Sequence, residues 1–143
     1  MTTLPRGSRL YLDTNVWIYA LEGYAAFAAA LTALFARIDA GELIAITSEF
    51  TVAEVLVKPF ADGNVTLQQR YTETLQNRAS VRIVPVSREI LIAAARLRAQ
   101  VSALKMPDAL HAATALSESV DYLVGNDARF VAVPGLMQLG LSG

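Results

Sequence analysis

Cysteine is absent from the 143 residues, which excludes disulfides, thiolate nucleophiles and sulfur-ligated zinc or iron–sulfur centres. Histidine is almost absent: His111 is the single one, so a site built from several imidazoles is excluded too. The N-terminus, Met1-Thr2-Thr3-Leu4-Pro5-Arg6, lacks the apolar stretch of a secretory signal. The Ala-rich run Gly23–Ala36 is uncharged but only 14 residues long, short of the roughly 20 that a membrane-spanning helix needs. These absences lead us to expect a cytoplasmic protein that does not enter a membrane.

Net charge is also scarce, at −1, but the charges are unevenly spread. Seven basic residues (Arg70, Arg78, Arg82, Arg88, Arg96, Arg98 and Lys105) lie between positions 70 and 105 against two acids, Glu73 and Glu89. From Met106 onward, Arg129 is the lone cation beside Asp108, Glu118, Asp121 and Asp127. Ten of the twelve cations are arginine, whose planar fork suits phosphate.

Apolar residues make up 54% of the chain, enough to fill the core of one domain over residues 1–143. Arg9–Leu12, Leu43–Thr47, Val81–Val84, Tyr122–Val124 and a short Met137–Leu139 read as strands. Between them, Val16–Leu21, Tyr24–Ala40, Glu49–Val57, Thr66–Asn77, Arg88–Val101 and Met106–Ser117 read as helices. Ser48 and Ser87 are N-caps, Gly41 ends the second helix, Pro59 stops the third, and Thr66 with Gln69 forms a capping box. Strands alternating with helices predict an α/β fold, a three-layer α/β/α sandwich on a mostly parallel sheet of four to five strands. Such sheets bind ligands beyond the carboxyl ends of their strands.

Four acids fall at informative places on that map. Asp13 follows the first strand and Asp127 the fourth. Asp108 opens a helix directly after Pro107. Glu54 is planted beside an apolar stripe, sharing a face with Phe50 and Val57. Each has a plain reading: Asp13 and Asp108 as helix caps, Asp127 as a turn residue, Glu54 as half of an ion pair. Together they read as converging carboxylates, which need positive charge between them. Hard oxygen donors suit Mg2+ or Mn2+, and such ions hydrolyse phosphodiesters through bound water. His111 shares a helix face with Asp108 and reads as a packing or supporting residue rather than a ligand.

The segments Leu10-Tyr11-Leu12-Asp13-Thr14-Asn15, Thr51-Val52-Ala53-Glu54-Val55-Leu56, Pro107-Asp108-Ala109-Leu110-His111-Ala112-Ala113-Thr114-Ala115 and Gly125-Asn126-Asp127-Ala128-Arg129-Phe130 resemble the motifs of PIN-domain nucleases. VapC-type toxins of bacterial toxin–antitoxin pairs are the nearest in pattern. The resemblance runs from Leu10 to about Leu139, in family order and spacing. It implies a Mg2+- or Mn2+-dependent endoribonuclease with Asp13, Glu54, Asp108 and Asp127 as the acidic, metal-holding site. Asn15 matches a small polar position whose amide would hold a carboxylate or water, and Asn126 matches the Asn before the last Asp. The same resemblance implies an RNA substrate, a homodimer, and a cognate antitoxin seated near Trp17–Phe35 that inserts a basic side chain among the acids. Gly125 departs from the pattern, standing where Thr or Ser is common.

Two rival readings remain open to test. One is a non-catalytic PIN-like module that binds a protein partner. The other is a phosphatase of the haloacid dehalogenase type, which wants a second Asp two residues after the first; Asn15 stands there and cannot act as an acid.

Overall fold

The computed structural model describes residues 3–142. Its first half runs β1 (Ser8–Leu12), α1 (Thr14–Glu22), a 3-10 turn (Ala25–Phe27), α2 (Ala28–Asp39), β2 (Leu43–Ser48), α3 (Glu49–Ala61) and α4 (Val65–Thr74). The second half is β3 (Val81–Val84), α5 (Arg88–Gln100), α6 (Met106–Ser117), β4 (Tyr122–Val124), a second 3-10 turn (Ala128–Ala132) and β5 (Gln138–Leu139). The five strands form one sheet in the order β3-β2-β1-β4-β5, and every pairing is parallel. The α/β/α sandwich expected from the alternation is therefore present.

The strands are apolar on both faces because both are covered. Leu10, Leu12, Leu43, Ala45, Val81, Ile83 and Val124 face a core shared with α1, α2, α3 and α4. Tyr11, Ile46, Val84 and Leu123 face the opposite core, built with α5, α6 and the second 3-10 turn. Trp17 is the largest fully buried side chain, and its Nε1–H donates to the Leu12 carbonyl at 3.2 Å. Truncating it to Ala is expected to cost about 3–5 kcal/mol.

Local rules were partly overridden by packing. Tyr24–Ala40 is not one helix: Gly23, at φ 71°, closes α1, and the 3-10 turn precedes α2. Tyr19 holds that bend, with ring centroids 4.7 Å from Tyr24 and 4.9 Å from Phe27. Pro59 does not stop α3, which continues to Ala61. Its ring is buried, and its carbonyl accepts from Asn64 N at 2.9 Å and Gln68 Nε2 at 3.2 Å, so the local fastening outweighs the lost helical N–H. Asn64, rather than Thr66, caps α4 by accepting from Leu67 N at 3.1 Å. Ser48 and Ser87 cap α3 and α5 as expected.

No single helix among the described residues is long and apolar enough to cross a membrane. The Gly23–Ala36 run is distributed over the 3-10 turn and α2, whose Leu31 and Leu34 are buried in the core.

The strand order reverses beside β1. Leaving it, the chain builds β2 and β3 to one side, then returns to place β4 and β5 on the other. Leu12 pairs with Val124 at the carboxyl ends of β1 and β4, so Asp13 and Gly125 emerge together at the switch point, where open α/β sheets form their binding crevices.

Candidate active site

Asp13 leaves β1 and becomes the N-cap of α1. Its Oδ1 accepts from Thr14 N at 2.8 Å, and its own N–H donates to the Val124 carbonyl at 3.1 Å. The side chain is buried, and burial holds the carboxyl above its ordinary value; His111 and the Thr14 N–H oppose this shift, while the charges of Asp127 and Glu54 reinforce it. Gly125 explains part of the crowding. A Cβ there would lie 3.0 Å from Asp13 Cβ and 3.3 Å from Oδ2. In this chain the side chain missing at position 125 makes room for the carboxylate.

Glu54 projects from α3 toward the same edge. Its Oε1 accepts from the Thr14 hydroxyl at 2.6 Å and from His111 Nε2 at 2.6 Å. Burial alone would raise this carboxyl, but the hydrogen bonds from His111 and Thr14 outweigh it and hold Glu54 below its ordinary value. The partner of this half-buried acid is therefore an imidazole and a hydroxyl rather than the arginine of an ordinary ion pair. Neither Thr14 nor the His111–Glu54 contact was read from the sequence; the single histidine one turn from Asp108 was the available signal.

Asp108 sits in the first turn of α6, where Oδ2 accepts from Lys105 N at 3.2 Å. Asp127 caps the second 3-10 turn by accepting from Arg129 N at 3.0 Å. Arg129 links these two acids. Its Nη2 donates to Asp127 Oδ2 at 2.7 Å, and its Nη1 lies 3.2 Å from Asp108 Oδ2. The Arg129 guanidinium holds the Asp127 carboxyl below its ordinary value. In the sequence Arg129 stands out only as the lone cation of the tail. Its spacing two residues after Asp127 was the clue that it folds back onto the acids.

The two asparagines of the motifs behave differently from the acids. Asn15 is exposed, and the contact with Glu54 belongs to its neighbour Thr14. Asn126 points to the C-terminal segment, donating to the Leu141 carbonyl at 3.2 Å and accepting from Leu141 N at 2.7 Å. The arginine-rich stretch does not form one surface. Arg70 lies on α4 and Arg88, Arg96 and Arg98 on α5, elements that cover opposite faces of the sheet. Arg82 is tied to Glu118.

Among the described residues, no three of His, Asp and Glu come close enough as placed to hold a metal ion. The chemistry of the donors nonetheless fits a hard divalent cation. The four acids offer oxygen only, and a guanidinium already stands between Asp108 and Asp127 as a substitute positive charge.

The PIN domain family model matches residues 10–136. The chain belongs to the PIN domain family. No curated protein matches its sequence, but solved structures match its fold. VapBC2 from Rickettsia felis, bound to a promoter DNA fragment, superposes with a TM-score of 0.74 at 18% identity, covering 94% of this chain and 99% of the other. A toxin–antitoxin complex from Klebsiella pneumoniae gives a TM-score of 0.66 at 26% identity, covering 90% and 95%. VapC20 from Mycobacterium tuberculosis, described as a sarcin–ricin loop cleaving toxin, gives 0.73 at 15% identity, covering 91% and 98%. This PIN domain thus has structural counterparts over 90% or more of the chain, and the haloacid dehalogenase reading is set aside.

Proposed function

We propose that this chain is a divalent-metal-dependent endoribonuclease, the cytoplasmic toxin of a toxin–antitoxin pair, acting as one PIN-like unit over residues 1–143. The observation that carries the reading is the switch point of the parallel sheet, where Asp13 meets Glu54 through Thr14 and Arg129 joins Asp108 to Asp127. The family match and the toxin structures similar in fold support it.

Asp13, Glu54, Asp108 and Asp127 would hold Mg2+ or Mn2+. When bound, such an ion supplies a deprotonated water and stabilises the leaving oxygen of a phosphodiester. The protein's own groups prepare that place. Thr14 holds Glu54 next to Asp13, and Lys105 N fixes Asp108 at the head of α6. Gly125 lets β4 approach Asp13 closely. Arg129 neutralises Asp108 and Asp127, and its exposed fork stands where an RNA phosphate would meet the acids.

The groove bounded by α1, α2 and α4, lined by Tyr19, Leu31, Phe35, Arg70 and Arg78, is the proposed seat of the cognate antitoxin. Exposed Val57 and Phe60 on α3 and Leu91 and Ile92 on α5 leave apolar surface for that partner and for a homodimer.

The test is cleavage of RNA by purified protein in Mn2+. Asp13→Asn and Asp108→Asn are each expected to lower the rate at least about 100-fold, as does excess EDTA. Cleavage that persists in both variants and in EDTA overturns the nuclease reading. Full-strength antitoxin binding without any cleavage favours the non-catalytic module instead.

A further inference from the structure

We infer that His111 is a positioning residue for Glu54, orienting its carboxylate through a relay that begins at Tyr11. This rests on the nuclease reading of the acidic edge, and it assigns work to a buried side chain that the reading leaves idle.

Three elements converge on the imidazole. It sits on α6, one turn after Asp108, with its side chain 4% exposed. Tyr11 of β1 reaches Nδ1 with its hydroxyl at 2.6 Å. On the other side, Nε2 lies 2.6 Å from Glu54 Oε1 on α3 and 3.2 Å from the Thr14 hydroxyl. The ring is clamped by Tyr11 and Phe50, with centroids 5.8 Å and 5.7 Å away. It cannot rotate without disturbing these two ring contacts and the hydrogen bonds at both of its nitrogens.

The hydrogens can be placed by counting them. Tyr11 is fully buried, and its phenol is a hydroxyl that can donate. Glu54 Oε1 can only accept, so the imidazole N–H that faces it is on Nε2, and in that tautomer the Tyr11 hydroxyl donates to Nδ1. The Nε2–H donates to Glu54 Oε1, the atom that also accepts from Thr14. Both donors fall on Oε1. Among the described residues Oε2 has no hydrogen-bond partner, and it is the oxygen left to face a cation. Tyr11 thus supports this tautomer, His111 sets the rotation of the carboxylate, and one oxygen of Glu54 is reserved. Groups that orient a ligand in this way typically change metal affinity or activity about 10–100-fold when removed.

The experiment compares His111→Leu, His111→Gln and Tyr11→Phe with the wild-type chain. Mn2+ affinity is read by calorimetry, kcat and KM by RNA cleavage, and folding by thermal melting in EDTA. His111→Leu is expected to weaken Mn2+ binding and lower kcat, each by about tenfold, with KM for RNA little changed. His111→Gln keeps a side-chain N–H within reach of Glu54 and should recover most of both losses. Tyr11→Phe retains the imidazole but frees its proton to move to Nδ1, so it should reproduce part of the His111→Leu defect. Unchanged Mn2+ affinity and kcat in folded His111→Leu, or equal losses in His111→Leu and His111→Gln, overturn the inference while leaving an active wild-type enzyme intact. A wild-type chain that neither binds Mn2+ nor cleaves RNA overturns the nuclease reading and this inference with it.

Discussion

Glu54 and Asp127 stand on the same acidic edge and are held in opposite ways. Glu54 takes its hydrogen bonds from two other elements, the buried His111 on α6 and the half-buried Thr14 on α1. Asp127 takes its hydrogen bonds from Arg129, two residues along the same turn and 45% exposed. The Glu54 end is therefore fixed before any ligand arrives, because its donors would be stranded without it. The Asp127 end is held by a side chain that water and ions can reach, and its bonds can be exchanged. A site with one rigid and one yielding side can admit a cation without rebuilding its core.

The largest effect should come from deleting the two acids in turn. Glu54→Ala strands a buried imidazole N–H and is expected to cost about 1–3 kcal/mol in urea denaturation without metal. Asp127→Ala removes the cap of a short 3-10 turn and one partner of an exposed guanidinium that still reaches Asp108, so it should cost less, about 0.5–1 kcal/mol. Equal losses would erase the distinction between the two ends. Gly125→Ala comes next. Its Cβ must push on Asp13, so stability should fall by about 1 kcal/mol and RNA cleavage should fall with it.

Asp13→Asn should act in the other direction. Asn keeps the cap on α1 and removes a charge that is costly to bury. Because burial raises the folded-state value of Asp13, its ionisation removes stability progressively as pH rises from the ordinary carboxylate range through that raised value. The variant should therefore melt a few degrees higher than wild type, about 2–4 °C in EDTA at neutral pH, with the gain shrinking as pH falls toward the ordinary carboxylate range. Glu54, with its lowered value, has the opposite sign: its contribution is complete at neutral pH and is lost as pH falls through the lowered value. The smallest effect is expected from Arg129→Gln. Removing the resident cation should lower the metal-free melting temperature slightly and tighten Mn2+ binding by roughly threefold, since the entering ion no longer displaces a guanidinium. Weaker Mn2+ binding in this variant would mean that Arg129 helps to hold the ion rather than making way for it.

The order of elements was legible in the sequence because apolar strands and capped helices leave local marks. Ser48 and Ser87 carry their caps in their own side chains, and continuous apolar runs announce a sheet covered on both faces. What failed to show depended on contacts between distant residues. Nothing local marks the bend at Ala25–Phe27, which comes from Tyr19 stacking on residues several positions ahead. Pro59 breaks helices in isolation, yet here its carbonyl is fastened by Asn64 and Gln68. Asp13, Asp108 and Asp127 are marked in the sequence by strand ends and a helix start, and Glu54 by the apolar stripe beside it. Their partners are not. Thr14 and His111 are 40 and 57 residues from Glu54, and sequence spacing carries no record of a pairing that only the fold creates. Asn126 shows the converse: a motif residue whose amide serves the chain's end.

That end has a practical consequence. Asn126 clasps the backbone of Leu141, and Gln138 Nε2 donates to the carbonyls of Gly125 and Asp127 at 2.9 and 2.8 Å. Gln138 and Leu141 therefore brace the loop that carries Asp127. Anything that pulls the 138–141 segment away, from a cut to a bulky insertion, would slacken that loop from outside. A tag ahead of β1 attaches at the opposite rim of the sheet and leaves the brace alone.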